Sequence, residues 1–221
     1  MSYPYKVVLF DLDDTLIDSR KAYRNAYRVL SERNPNVYQA ENEEEIEDIY
    51  RFVFRINSAE RNRAYPSLCE RWGIDNAPPS AHDFREMWLM AYAANAAPFP
   101  WTREVLDSLH RKGIRVGIIT NGNIHRQSRK LLFADLLGDF EDIIISASTG
   151  TAKPSAAIFR LAAQRLGVRV QDCLFVGDNP ATDISGAKSA GMDCLWLTRG
   201  ENTENATYAA PDTRFLLDLF R

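Results

Sequence analysis

The sequence predicts an α/β fold, a doubly wound parallel sheet with an all-helical domain inserted after its first strand. Three observations indicate this fold. Short apolar runs stop abruptly at polar clusters, helix-like and strand-like stretches alternate from residue 102 onward, and residues 18–97 show helical spacing with no strand-like run. Such alternation is typical of parallel sheets with helices on both faces.

Apolar runs with few polar interruptions predict the strands, because a parallel strand is covered on both faces. The predicted strands are 7–10, 115–120, 143–145, 174–176 and 194–197. Amphipathic spacing predicts helices between and after them, several ending at a glycine. The predicted helices are 102–112, 125–137, 156–166, 182–190 and 214–220. Together these elements describe a Rossmann-like core.

The inserted block is far longer than the ~2–6 residues of a usual strand-to-helix connection. It carries helical spacing three times, at Tyr23–Leu30, Ile46–Val53 and Phe84–Ala91. Pro98 and Pro100 then break helical geometry, which indicates a return to the core. We therefore expect an α/β core from residues 1–17 and 98–221 and a helical domain from residues 18–97.

Composition excludes several function classes. The 221 residues carry a net charge of −3 with a pI near 5.7, which gives no general attraction to nucleic acid polymers or anionic membranes. No stretch approaches the ~20 apolar residues that a membrane span needs, so a cytoplasmic location is expected. The three cysteines lack the spacing of metal ligands and are expected to be buried thiols.

Polar clusters follow the predicted strands, and the carboxyl ends of parallel strands meet at one edge of a sheet, where ligands bind. Four carboxylates brought to that edge would repel one another unless a cation joined them. They are Asp11, Asp13, Asp178 and Asp183. Oxygen ligands of this kind suit Mg²⁺, which also takes oxygens from substrate phosphate.

The remaining clusters supply groups that bind anions. Lys153 carries a positive charge, Thr120 offers a hydroxyl, and the backbone amides around Asn121 and Gly122 could surround an anion. Acidic metal ligands beside these groups predict a site for a metal-bound phosphate.

These clusters resemble the four motifs of the haloacid dehalogenase superfamily, in its phosphatase branch with a helical cap. Asp11-Leu12-Asp13-Asp14-Thr15 is similar to the first motif, Thr120-Asn121-Gly122 to the second, Lys153-Pro154 to the third and Gly177–Asp183 to the acidic fourth. The resemblance covers nearly the whole chain, with the motifs in order and each at a strand end. Residues 18–97 correspond to the cap.

The resemblance implies a role for each matching residue. Asp11 would attack phosphorus to form an aspartyl-phosphate, and Asp13 would act as general acid and base. A spacing of two is expected to keep both on one side of an extended strand. Asp11, the Asp13 carbonyl and Asp178 would hold Mg²⁺, with Asp183 and Asn179 outside them. The resemblance assigns phosphoryl binding to Thr120, Asn121 and Gly122, and charge compensation to Lys153.

The expected reaction is hydrolysis of a small phosphomonoester. A phosphomutase carries the same acids, whereas a dehalogenase of the superfamily lacks a carboxylate at the position of Asp13. A receiver-like signalling domain and a catalytically silent binding protein remain as alternatives. Arginines of the insertion could reach a second anionic group of the substrate, although most are expected to be simply exposed. They are Arg20, Arg24, Arg28, Arg51, Arg55, Arg61 and Arg63.

Overall fold

A computed structural model describes the protein at residues 3–33, 43–71, 80–198 and 205–221. The chain divides into two compact units. Met1–Asp18 and Ala97–Arg221 form an α/β unit, and Ser19–Ala96 form a helical unit. Within the described ranges, no helix is both long enough and apolar enough to cross a lipid bilayer.

The α/β unit contains one parallel sheet, which confirms the predicted fold class. In the described part of the chain its strands are β1 (Val7–Phe10), β2 (Arg115–Thr120), β3 (Asp142–Ile145), β4 (Cys173–Gly177), β5 (Asp193–Leu197) and β6 (Tyr208–Ala210). They lie in the order β3-β2-β1-β4-β5-β6, and every neighbouring pair is parallel. β6 was not predicted, because a three-residue edge strand has little pattern of its own.

The chain order reverses between β1 and β4, which is where ligands bind in open sheets of this kind. Phe10 pairs with Ile118 of β2 on one side and with Val176 of β4 on the other, so all three strands end close to the same edge. Every residue of β1 and β4 is buried. The polar residues that follow these strands are therefore held by two fully buried strands at the centre of the sheet.

Helices cover this sheet. Helices are numbered along the whole chain, and α1–α4 belong to the helical unit described below. Those of the α/β unit, over its described residues, are α5 (Thr102–Arg111), α6 (Ile124–Phe133), α7 (Ser146–Thr149), α8 (Ala156–Arg165), α9 (Ser185–Ala190) and α10 (Phe215–Leu219). α6 ends four residues before the predicted residue 137, because Asp135 adopts a left-handed backbone with φ 54°. The predicted helix 182–190 also differs, because a wide helical turn at Pro180–Ile184 precedes α9.

Close packing at Gly186 seats α9 on the chain segment that carries Lys153. A Cβ atom at Gly186 would overlap the ring of Phe159 in α8 and lie 2.9 Å from the carbonyl oxygen of Pro154. Only a residue without a side chain lets the two elements approach this closely.

The helical unit consists, over its described residues, of α1 (Ser19–Arg33), α2 (Glu43–Phe54), α3 (Ser58–Arg71) and α4 (Ala81–Ala94). Three of these correspond to the predicted patterns. α3 was missed because it contains Pro66 and few apolar positions. Tyr23 and Trp88, both buried, stack with ring centroids 5.2 Å apart and form part of its aromatic core.

Two arginines of the helical unit donate hydrogen bonds to backbone carbonyl oxygens. Buried Arg61 donates to the carbonyl oxygens of Phe52 and Val53, at 2.8 and 3.3 Å, and also to Ile56. Arg85 donates to the Val53 oxygen at 3.0 Å. These bonds satisfy carbonyls at the carboxyl end of α2, where positive charge is favourable.

Candidate active site

Asp11 follows the last residue of β1, and a tight turn after it carries Asp13. β1 ends at Phe10, and the backbone N–H groups of Leu16 and Ile17 both donate to the Leu12 carbonyl oxygen at 3.0 Å. Asp13 therefore lies within the turn and not on an extended strand. Asp11 still follows the strand pairing, since its backbone N–H donates to the Val176 carbonyl oxygen of β4 at 2.9 Å, whereas the turn sets the position of Asp13.

Lys153 lies between two carboxylates. Its Nζ is 2.5 Å from Oδ1 of Asp11 and 2.7 Å from Oδ1 of Asp183, and its side chain is 2% exposed. Burial alone would lower the pKa of Lys153, but the carboxylates of Asp11 and Asp183 outweigh it and hold that pKa above its ordinary value. The ammonium group therefore stays charged.

Asp183 is fixed by the turn that follows β4. Its Oδ2 accepts the backbone N–H of Asn179 at 3.1 Å, and the Asn179 side chain in turn accepts the N–H groups of Ala181 and Thr182 at 3.0 and 3.2 Å. This is reciprocal capping of a helical turn. Gly177 makes it possible, because a Cβ there would lie 2.7 Å from both Cβ and Cγ of Asp183.

Asp178 completes an acidic cluster. Its carbonyl oxygen accepts the indole N–H of Trp196 in β5 at 2.9 Å. Asp11, Asp178 and Asp183 each offer one carboxylate oxygen, and these oxygens lie within 4.8 Å of one another. Burial is the largest cause of the rise in the pKa of Asp11 and of Asp178, each to about 7. Repulsion from Asp183 adds to the rise in both, while Lys153 partly opposes it. A divalent cation would remove this cost of ionisation.

Asn121 supports Lys153 directly. Its Nδ2 donates to the Lys153 carbonyl oxygen and its Oδ1 accepts the Lys153 N–H, both at 2.9 Å. The Gly122 N–H donates to Oγ of Ser146 at 3.0 Å. The contacts of these two residues thus join the loop after β2 to the start of α7 and to the segment of Lys153, whose peptide bond to Pro154 is cis.

A second lysine–aspartate contact lies beside the first, and sequence reasoning did not anticipate it. Nζ of Lys130 is 2.8 Å from each carboxylate oxygen of Asp13. Nε2 of Gln127 donates to Oδ2 of Asp13 at 3.1 Å and to Oγ1 of Thr120 at 2.7 Å. One amide nitrogen thereby connects the predicted general acid with a predicted phosphate-binding hydroxyl.

The predicted residues meet at one edge of the sheet. Asp11, Asp178, Asp183 and Lys153 share one cluster, while Asp13 and Thr120 belong to the contacts of Gln127 and Lys130. A signal for the two missed residues existed, since a polar pair three residues apart occupies one face of a helix directly after the second cluster. Sequence alone gave no reason to expect that face to be buried.

A family model for the haloacid dehalogenase-like hydrolases matches residues 5–191. The chain is also similar to two curated phosphatases. It is 32% identical over 210 residues to the glyceraldehyde 3-phosphate phosphatase of Methanopyrus kandleri, covering 89% of this chain and 85% of the relative. It is 32% identical over 154 residues to the phosphoserine phosphatase of Thermus thermophilus, covering 70% and 60%.

The fold is similar to that of a solved structure along nearly its entire length. The putative HAD-hydrolase YfnB from Bacillus subtilis superimposes with a TM-score of 0.78 at 22% identity, covering 98% of this chain and 99% of that protein. The parallel sheet, the acidic cluster at its edge and the matching family model lead to one conclusion. The chain belongs to the haloacid dehalogenase-like hydrolase family.

Proposed function

We propose that this phosphatase hydrolyses a small phosphomonoester with the help of Mg²⁺, through an aspartyl-phosphate on Asp11. The observation that carries the proposal is the position of Lys153, which contacts Asp11 and Asp183 next to Asp178. A buried nucleophilic carboxylate, a fixed positive charge and a set of hard oxygen ligands are the groups that phosphoryl transfer requires.

The acidic cluster fits Mg²⁺. Carboxylates of Asp11 and Asp178, together with the Asp13 carbonyl, would hold the ion, while Asp183 is engaged by Lys153 and Asn179 and would lie outside them. A cavity of about 470 Å³ within the α/β unit has Asp178 in its lining, beside Asp14 and Thr15 of the turn after β1. When bound, the ion supplies positive charge that offsets the phosphoryl oxygens.

The protein side chains then divide the reaction into two displacements. A carboxylate oxygen of Asp11 attacks phosphorus, and the bond from phosphorus to the ester oxygen breaks as that oxygen takes a proton from Asp13. Water then attacks the aspartyl-phosphate and gives its proton to Asp13, which releases phosphate and restores the Asp11 carboxylate. Lys153 offsets the charge of Asp11 and the transferring group throughout.

Thr120 is the side chain best prepared to bind phosphate. Because Gln127 donates to its oxygen, the hydroxyl hydrogen of Thr120 can be donated to a phosphoryl oxygen. The contacts of Asn121 and Gly122 favour supporting roles for these two residues instead. Asn121 fixes the Lys153 backbone, and Gly122 binds Ser146.

The proposed substrates are small polar phosphomonoesters, the class to which the relatives' named substrates, glyceraldehyde 3-phosphate and phosphoserine, belong. Membership of the family disfavours the receiver-like alternative. The carboxylate of Asp13 disfavours dehalogenation, because a halide leaving group needs no proton. Hydrolysis is preferred over a mutase reaction because the named relatives are phosphatases.

A phosphate-release screen tests the proposal. Purified protein is incubated with Mg²⁺ and a panel containing glyceraldehyde 3-phosphate, phosphoserine, phosphoglycolate and nucleoside monophosphates, and then again with a chelator. We expect release from at least one compound, loss of release in the chelator, and a fall of roughly 10³-fold or more for Asp11→Asn. Acid quenching during turnover should trap phosphate on the protein in a form that hydroxylamine removes.

Asp218→Asn is the matched control, since Asp218 is exposed on α10 and its ion pair with Arg221 spans 3.8 Å. It should keep full activity. Turnover that survives either the chelator or Asp11→Asn would reject the mechanism. Silence of the wild-type protein across the panel would favour a binding protein instead.

A further inference from the structure

Helix α6 presents two polar side chains to the site instead of to solvent. Gln127 is 3% exposed and Lys130 is 6% exposed, although both are long polar residues that normally lie at the surface. They are three residues apart and so occupy one face of the helix. Burying an ammonium group is costly unless it is paired, and its partner here is Asp13.

The contacts of Asp13 fix its carboxylate at both oxygens. Lys130 lies at an equal 2.8 Å from each of them, and Gln127 adds a third bond at 3.1 Å to Oδ2. A carboxylate held in this way cannot rotate about its terminal torsion without losing contacts. The Asp13 side chain is nevertheless 33% exposed, so it can still meet a substrate.

The backbone is shaped to allow this arrangement. Gly122 has φ +144°, a value that other residues rarely adopt, and a Cβ there would lie 3.2 Å from Cγ of Gln127. A side chain at Gly122 would therefore press on Gln127 and disturb its bonds to both Asp13 and Thr120. Gly122, which follows β2, thus lets Gln127 of α6 reach both Asp13 and Thr120.

We propose that Lys130 is a positioning residue for the reaction, which holds the Asp13 carboxylate where it exchanges a proton with the leaving oxygen and then with water. Gln127 ties that position to Thr120 and hence to the phosphoryl group. The inference rests on the proposed function and extends it to a residue outside the four motifs. Correct placement of a reacting group is a large contribution to catalysis, and errors near 1 Å cost on the order of 10²-fold.

The test uses two substrates of nearly equal shape, phenyl phosphate and 4-nitrophenyl phosphate. Phenolate is a poor leaving group that needs a proton, whereas 4-nitrophenolate leaves without one. Because kcat/KM reports the steps up to formation of the aspartyl-phosphate, it isolates the proton donation by Asp13. Lys130→Met should lower kcat/KM for phenyl phosphate by roughly 10²-fold and for 4-nitrophenyl phosphate by much less.

The second displacement gives an independent signal. With 4-nitrophenyl phosphate, Lys130→Met should form the aspartyl-phosphate readily but hydrolyse it slowly, because the water also needs Asp13. We therefore expect a burst of 4-nitrophenolate close to the enzyme concentration, followed by a slow steady rate, and no such burst in the wild type. Lys130→Arg, which can still pair with both oxygens, should restore part of the rate on phenyl phosphate.

The controls separate positioning from a structural role. Lys188→Met replaces an exposed lysine of α9 and should leave both substrates unaffected. If Lys130→Met does not fold, Lys130→Gln replaces it in the comparison with Lys130→Arg. Glutamine keeps a hydrogen-bond donor at this position. Equal losses on both substrates without a burst, or no loss at all, would overturn the inference.

Failure of the inference can be distinguished from failure of the proposed function. If Asp11→Asn is inactive while Lys130→Met behaves as wild type, only the inference fails. If Asp11→Asn keeps its activity, or if the wild-type protein hydrolyses neither the aryl phosphates nor the metabolite panel, the proposed function fails and the inference fails with it.

Discussion

Lys153 and Lys130 differ in how exposed the aspartates are that they contact. Both lysines are buried, with side chains 2% exposed for Lys153 and 8% for Lys130. The carboxylates that Lys153 contacts, Asp11 and Asp183, are 11% and 2% exposed, whereas Asp13, which Lys130 contacts, is 33% exposed. A closed arrangement keeps charge in place, because none of its members can leave without exposing an unpaired ion in the interior. An open arrangement suits a group that must meet a substrate and exchange a proton. The difference matches the proposed division between Lys153 as a stabilising charge and Asp13 as a reacting acid.

Replacement of the enclosed lysine should have the largest effect. Lys153→Met leaves Asp11 and Asp183 without their shared cation, which should cost about 3–5 kcal/mol of unfolding free energy. The fixed positive charge at the transferring group is lost too, so kcat should fall by at least ~10²-fold. Chemical denaturation and phosphate-release assays measure the two effects. A Lys153→Met variant with wild-type stability would contradict this comparison. The buried pair would then contribute no more to the free energy of unfolding than a surface pair does.

Removal of metal should destabilise the protein in a pH-dependent way. The pKa values of Asp11 and Asp178 rise from 3.8 to about 7 in the folded protein without metal, so folding favours their protonated forms. The stability they contribute is fully present below pH 4 and is lost as the pH rises through 7. Mg²⁺ binds the ionised forms, so the increase in Tm that Mg²⁺ gives should be larger at pH 8 than at pH 5.

Thermal unfolding with Mg²⁺ and with a chelator, at both pH values, measures this difference. The same scans on Asp178→Asn serve as the control, since the variant lacks one of the two raised groups and should respond less to Mg²⁺. An equal increase in Tm at the two pH values would contradict the proposed ligands.

A smaller effect on stability is expected from replacing Gly177, the glycine that lies against Asp183. In Gly177→Ala the new Cβ would lie 2.7 Å from Cβ and Cγ of Asp183, so Asp183 or the backbone must shift. Overpacking of this kind costs about 1–3 kcal/mol. Gly138→Ala is the matched control, because nothing lies within 4 Å of a Cβ there. Equal unfolding free energies for the two variants, from urea titrations, would show that Gly177 is not needed for the enclosed arrangement.

The smallest effect is expected at the surface. Asp218→Asn removes one partner of an ion pair that spans 3.8 Å with both side chains largely exposed. Pairs of this kind contribute about 0–1 kcal/mol, so the urea midpoint should hardly change. A loss comparable to that of Lys153→Met would mean that burial does not explain the difference between the pairs.

The sheet and the meeting of the acids could be predicted because they depend on short-range patterns. Unbroken apolar runs mark buried strands, and parallel strands deliver the residues after them to one edge. The positions of Asp11 and Asp178 at this edge of the sheet could therefore be predicted from the sequence. β6 and α3 could not be predicted, since one is a short edge strand and the other contains Pro66 and is defined mainly by its neighbours.

The side chains that contact the acidic residues could not be predicted from the sequence. Lys130 is 117 residues from Asp13, and its burial depends on how α6 packs after β2. The side chain of Asn121 could equally have faced a phosphate or a backbone segment, and the structure pairs it with Lys153. Local patterns indicate which residues reach the edge of the sheet, whereas long-range packing decides what each of them touches.

Gly186 illustrates how far the demands of such chemistry extend. It has no functional group, yet any side chain there would push against Phe159 and the carbonyl of Pro154, the residue after Lys153. In a library of random variants, this position should tolerate as few replacements as the two aspartates proposed to react. Mutational tolerance alone would then mark it as catalytic, although its contribution is the empty space that it leaves.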